Sequence, residues 1–189
     1  MTTARMPTAS RRAQIRDVAA RLFATAGFHG VTIEDIGGAC GISGPAVYRH
    51  FANKDALLAD LLVGISEHLL AGGRAEVAQG SDGLLERLVA FHLDFSVRDP
   101  DIVRVHDRDL DNLGDEPRRK VRRLQRAYVE LWAAALREER PDLSEAVSRS
   151  RAHACFGLLN STPHSAVGVD ESVLRAQLAT MGLAALLAR

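Results

Sequence analysis

The chain has 189 residues, a formal net charge of zero, 47% hydrophobic and 25% charged residues, and two cysteines. This length suits one medium domain or a small domain fused to a larger one, and two cysteines exclude a disulfide framework. No apolar stretch follows the charged N-terminus and no run approaches the ~18 apolar residues of a membrane span, so the expectation is a soluble, cytoplasmic chain with no membrane partner.

The neutral total hides an asymmetry. The first 30 residues hold Arg5, Arg11, Arg12, Arg16 and Arg21 against Asp17 alone, a basic arm suited to phosphate contacts. Residues 10–26 space Ile15, Val18, Ala19, Leu22, Phe23 and Ala26 as a helix, with Ser10 as candidate N-cap and Gly27 as its stop. Residues 32–51 then read as two short helices and a tight turn. Thr32 and Asp35 form a capping pair, Gly41 closes the first helix, and Ser43 and Pro45 start a second running from about Gly44 to His50. Gly37 and Gly38 each cost about 0.5–1 kcal/mol relative to Ala inside a helix, which predicts a soft first helix.

Asn53 caps a long amphipathic helix through Leu57, Leu58, Leu61, Leu62, Ile65 and Leu69, with Gly72 and Gly73 predicted to end it. Beyond it every segment has helical spacing. Leu84, Leu88, Phe91 and Phe95 make one stripe; Pro100 opens a helix through Leu113; Pro117 starts another, with Val121, Leu124, Tyr128 and Trp132 inward and a basic run from Arg118 to Arg126 outward. Helices from about Asp142 to Asn160 and Asp170 to Ala188 finish the chain, separated by a Ser-Thr-Pro-His loop. The fold class is all-α, with about nine helices.

The N-terminal part resembles the TetR family of bacterial one-component repressors. Ala19, Leu22, Phe23, Gly27, Thr32, Ile36, Ala39, Gly41, Ile42, Ser43, Tyr48, His50, Phe51, Lys54 and Leu57 match in register without a gap. The resemblance implies a three-helix DNA-binding head over residues 9–69, its helix-turn-helix at 32–51. It also implies a body over residues 70–189 for a small-molecule inducer and for dimerisation. Mapped by resemblance, Ser43, Gly44, Pro45 and Ala46 face the major groove of double-stranded DNA. Thr32, Tyr48, His50 and Lys54 hold phosphates, with Arg11 and Arg12 reaching along the backbone. Arg49 is the best candidate for a bidentate guanine contact. The last two helices are expected to pair a homodimer that matches a palindromic operator. The helix after Asn53 is expected to carry the ligand signal to the head.

Candidate inducer contacts are the aromatic and polar residues of the body: Phe91, His92, Phe95, His106, Asp109, Tyr128, Trp132, Phe156, Asn160 and His164. The Arg118–Arg126 run suits an anionic ligand such as an acyl-CoA. Around His106, Asp107, Asp109 and Asp111 no second His or Cys pair completes a metal site, Cys155 reads as a small core residue, and no cofactor is expected. Two other function classes compete: a DNA-binding architectural protein without an inducer, and an enzyme. Gly41-Ile42-Ser43-Gly44, the nearest approach to a nucleophile elbow, follows a helix and lacks the G-x-S-x-G spacing.

Overall fold

Thr32, Asn53, Ser144 and Asp170 cap helix starts, whereas the helix expected from Asp142 begins at Glu145 and the one expected from Pro117 begins at Asp115. In the computed structural model, which describes residues 8–189, α1 (Thr8–Ala26) packs behind α2 (Ile33–Ala39) and α3 (Gly44–Val47), and α4 (Lys54–Val77) leads away from them. Arg5 of the basic arm lies outside the described residues. α5 (Leu84–Arg98) and α6 (Pro100–Asp109) follow, then a 3-10 turn over Leu110–Asn112, α7 (Asp115–Glu139), α8 (Glu145–Leu159), the single turn α9 (Thr162–Ser165) and α10 (Glu171–Leu187). The described residues are all-α, with ten α-helical segments of which α3 and α9 are only four residues long.

Thr32 accepts from the Asp35 backbone N–H at 3.1 Å while the Asp35 carboxylate accepts from the Thr32 N–H at 2.8 Å, so the capping box closes as expected. The Thr32 hydroxyl, donating to the same carboxylate at 2.6 Å, and then the Thr32 N–H hold the Asp35 carboxyl below its ordinary range. Asn53, Ser144 and Asp170 each accept one orphan N–H at the starts of α4, α8 and α10. Ser10, expected as the N-cap, falls inside α1. The helix begins at Thr8, because apolar periodicity starts only at Ile15 and is blind to a polar first turn. The Ser-Thr-Pro-His segment is likewise not an open loop but the turn α9, with Pro163 in a first-turn position where a missing N–H costs nothing.

Two findings concern glycine. Gly37 of α2 is where the turn lies against the helix. The Ile42 N–H donates to the Gly37 carbonyl at 2.9 Å, and a Cβ on Gly37 would stand 2.9 Å from the Ile42 carbonyl oxygen and 3.1 Å from the Gly44 nitrogen. Gly72 and Gly73 do not end α4, which runs on to Val77. A Cβ on Gly72 would fall 1.9 Å from the Phe91 ring of α5, and one on Gly73 2.7 Å from the Tyr128 ring of α7. These glycines let three helices approach where the sequence alone suggests a stop.

α4 is also long and apolar enough, by length and composition, to cross a membrane, contrary to the reading of the sequence. Its apolar residues are accounted for by packing: Leu57, Leu58, Leu61 and Leu62 enter one buried cluster and Leu70 the other. The first cluster joins α1–α4 and takes in Val105, Leu113 and Val121 from the body; the second centres on Trp132 and Leu136 of α7 with α5, α8 and α10 around them. α6 lies along α1. The Arg108 guanidinium donates to the Phe23 carbonyl and, at 3.3 Å, to that of Ala24, both at the end of α1, while its own carboxylate neighbour Asp109 accepts at 3.0 Å. A cation on the last carbonyls of a helix is favourable in both hydrogen bonding and dipole.

Candidate DNA interface and ligand cavity

The head presents a small polar surface built on α3 and the turns after it. α3 is only one turn long, shorter than expected, but hydrogen bonds from His50 and Phe51 N–H to the Val47 carbonyl continue the winding. Val47 and Phe51 are buried and fix this segment to the head core. Ser43, Pro45, Tyr48 and Arg49 are exposed, Tyr48 by half, and Ala46 and His50 are half-buried. Ser43 occupies the N-cap position without a side-chain cap bond, so its hydroxyl is not spent on the helix. Gly44 is buried against Glu34, where a Cβ would lie 3.1 Å from the carboxylate, and so does not face outward as expected.

The cations expected along the DNA backbone divide sharply. Arg49 is exposed and makes no ion pair among the described residues. Lys54 instead turns inward, donating at 2.8 Å to both the Phe28 and Val31 carbonyls with its ammonium 4.5 Å above the Phe28 ring. Arg12 donates at 2.5 Å to the His50 carbonyl and to Asp60 of α4, and its guanidinium lies 4.1 Å from the Phe51 ring centre. Arg11 binds Gln14 at 2.8 Å and the Cys40 carbonyl at 3.4 Å, and Arg16 joins Arg12 on Asp60. In this arrangement the arm ties the head together. Sequence reading missed Asp60, whose carboxylate gathers both arginines.

In the body, α4–α8 enclose a cavity of about 330 Å³. Of the expected residues, His92, Phe95, His106, Tyr128, Phe156 and Asn160 line it. Four do not. Phe91 packs on Gly72 and against His68; Trp132 is fully buried behind Phe156, ring centres 4.9 Å apart; Asp109 is buried with Arg108 and Asn112 beside the head; His164 is exposed on α9. The remaining wall is Ile65, Ser66 and Leu69 of α4, Val103 and Asp107 of α6, Leu124, Gln125 and Val129 of α7, and His153 of α8. Most of these were legible only as aliphatic stripe positions, with nothing to separate a cavity wall from a core.

His92 organises the polar side of the cavity. Its Nε2 lies 3.1 Å from the Asn160 Oδ1 and its Nδ1 3.3 Å from the Tyr128 hydroxyl. The amide oxygen can only accept, so Nε2 carries the ring proton, and Nδ1 accepts from the Tyr128 O–H. Burial is the main reason that the His92 pKa falls to about 4, and burial also pushes the Tyr128 hydroxyl up; both groups are neutral at physiological pH. Phe156 stacks on both rings, at 5.0 Å from His92 and 5.4 Å from Tyr128. Across the cavity the Gln125 amide meets His106 at 2.5 Å. Cys155 is buried nearby with its thiol pushed up to about 12 by that burial, which leaves no thiolate for redox chemistry near neutrality.

A helix-turn-helix that turns Ser43, Tyr48 and Arg49 outward, carried on a helical body with a partly open cavity, defines a class of DNA-binding regulator. Comparison with known proteins identifies which one. Residues 15–61 match the family model for bacterial regulatory proteins of the tetR family, and residues 82–164 match a tetracyclin repressor-like C-terminal domain. The chain belongs to the TetR family of transcriptional regulators. It is 30% identical over 129 residues to the HTH-type transcriptional repressor KstR2 of Rhodococcus jostii, a match spanning 67% of this chain and 63% of that repressor. A TetR-family regulator from Bordetella parapertussis superposes with a TM-score of 0.84 at 26% identity over 94% of both chains. AibR, crystallised with isovaleryl coenzyme A and operator DNA, shares the fold with a TM-score of 0.74 at 17% identity, over 90% of this chain and 97% of its own.

Proposed function

We propose that the protein is a cytoplasmic transcriptional repressor that binds a palindromic operator as a homodimer and leaves it when a small molecule fills the body cavity. The observation that carries the reading is the outward-facing set Ser43, Pro45, Tyr48 and Arg49 on a turn-capped α3 whose inner residues lock it to the head. Ser43 and Arg49 supply hydrogen bonds to base edges or phosphates, and Tyr48 a ring and a hydroxyl. Thr32 stands at the N-terminus of α2, where a backbone phosphate finds free N–H groups. Exposed Val147 on α8 and Val173, Met181 and Leu187 on α10 favour pairing of those helices with a second copy.

α6 supports control from the cavity. One of its faces supplies Val103, His106 and Asp107 to the cavity wall, while Arg108 and Val105 hold α1 and the head core. A ligand that moves α6 therefore changes the angle of the head, adding a route beside α4. An acyl-CoA is the inducer class best supported. Arg122 and Arg126 share a helical stripe with Gln125 and Val129 of the wall, one to two turns along α7. Arg126 of this stripe is exposed with no acidic partner among the described residues, so a phosphate at the cavity mouth would find an unpaired cation.

A gel shift with the intergenic DNA beside the coding gene tests the central reading. Specific retardation over competitor DNA at moderate salt is expected, with release by acyl-CoAs. No specific complex would remove the regulator assignment at that DNA, and a complex unaffected by every acyl-CoA would favour an architectural role.

A further inference from the structure

The cavity wall is unusual in what it lacks. No Arg or Lys lines it, and its one formally charged side chain is Asp107, at the exposed edge. The buried polar groups are neutral and mutually satisfied in a fixed order: Tyr128 O–H to His92 Nδ1, then His92 Nε2–H to Asn160 Oδ1. That order leaves the Asn160 amide N–H₂ without a partner among the described residues, and Asn160 is one of the residues that line the cavity. A carboxylate placed there would lose its water and meet no Arg or Lys, only the wall imidazoles His106 and His153 beyond His92, whereas a carbonyl oxygen would gain a neutral donor. About 330 Å³ holds roughly eleven waters at ~30 Å³ each, the space of a ligand fragment with about a dozen non-hydrogen atoms. Coenzyme A as a whole is several times larger, so only an acyl group fits inside.

We propose that this cavity selects a compact, uncharged acyl group, entering as a thioester or simple ester, over the corresponding free carboxylic acid, and that Asn160, held by His92 and Tyr128, reads its carbonyl. The inference rests on the cavity being the inducer site. Asn160 is thus a specificity-determining residue. Two aromatic residues, Phe95 and Phe156, supply apolar wall for a ring or a branched chain. The arginines along α7 lie outside this selection, since they meet whatever the acyl group carries beyond the mouth.

Calorimetric titration of the full chain with four probes tests the selection: methyl 3-phenylpropanoate, 3-phenylpropanoate, propylbenzene and 3-phenylpropanoyl-CoA. The ester is expected to bind at least tenfold more tightly than the carboxylate, and the thioester at least as tightly as the ester if the α7 arginines take its phosphates. Asn160→Leu is expected to reduce the preference for ester over propylbenzene about tenfold while propylbenzene still binds, a result that loss of folding cannot give. A carboxylate that binds as well as the ester, or an unchanged ester-to-propylbenzene ratio in Asn160→Leu, overturns the proposal and leaves the inducer site standing. Failure of all four probes to bind overturns both.

Discussion

Gly37 and Gly38 are neighbours in α2 with the same intrinsic cost, yet their surroundings separate them. Nothing lies within 4 Å of a Cβ on Gly38, so Gly38→Ala should stabilise the protein by about 0.5–1 kcal/mol. Gly37→Ala puts a methyl against backbone atoms of the turn that cannot swing aside, and should lower stability in urea unfolding despite the same propensity gain. Lys54 carries a second test. Its ammonium is spent on the Phe28 and Val31 carbonyls, so Lys54→Met should cost about 1.5–3 kcal/mol in stability and leave the salt slope of DNA binding unchanged; a slope lower by one unit would return it to the phosphates. His92 sets a pH window. Burial holds its pKa near 4, whereas an unfolded histidine titrates near ~6.5, so between those values the unfolded chain takes up a proton that the folded one refuses. Stability should fall as pH drops through that window, by on the order of 3 kcal/mol, and show no contribution from His92 above it. Urea midpoints at pH 7 and 4.5 should differ less in His92→Gln than in the parent.

At the scale of elements, α4 joins head to body by packing against α1, α5, α6 and α7. Its first half is a wall of the head and its second half a wall of the cavity, through Ile65, Ser66 and Leu69. The close approach of α5 and α7 to its last turns is why Gly72 and Gly73 sit inside the helix and not at its end. Gly72→Ala should force the Phe91 ring out of place, and Phe91→Ala should relieve that clash. In a double-mutant cycle the pair should therefore cost less than the two single changes summed, with a coupling of about 0.5–3 kcal/mol, and strict additivity would show that the ring moves freely. The basic run on α7 illustrates the opposite case, in which pattern and placement agree. Its outer face is exposed with Arg118, Lys120 and Arg122 lightly paired to Asp115, Glu67 and Asp111, contacts that in high dielectric contribute ~0–1 kcal/mol each.

For the molecule as a whole the decisive contact is between head and body. Arg108 reaches from α6 to the last carbonyls of α1, and the His29 ring meets Asn112 at 2.9 Å beside it. Arg108→Met keeps the aliphatic stem and removes the donors. In this variant ligand binding and ligand-free operator binding should persist, while the loss of operator affinity on adding ligand becomes several-fold smaller in fluorescence anisotropy. An unchanged ligand effect would leave α4 as the sole route of coupling.

The sequence by itself determined the helical class, the starts of α2, α4 and α10, and the helix-turn-helix, because caps and 3.6-residue periodicity are local properties that survive without knowledge of neighbours. It also singled out His92, Tyr128, Phe156 and Asn160, since aromatic and polar residues stand out on apolar stripes. Tertiary structure alone decided the rest. Whether Lys54 and Arg12 face DNA or the protein depends on carbonyls and on Asp60, far away in the chain. Gly72 reads as a stop until Phe91 of another helix lies on it, and Ile65, Leu69 and Leu124 read as core until five helices leave a space between them. A cavity is a failure of packing between elements, and no spacing within one element encodes it.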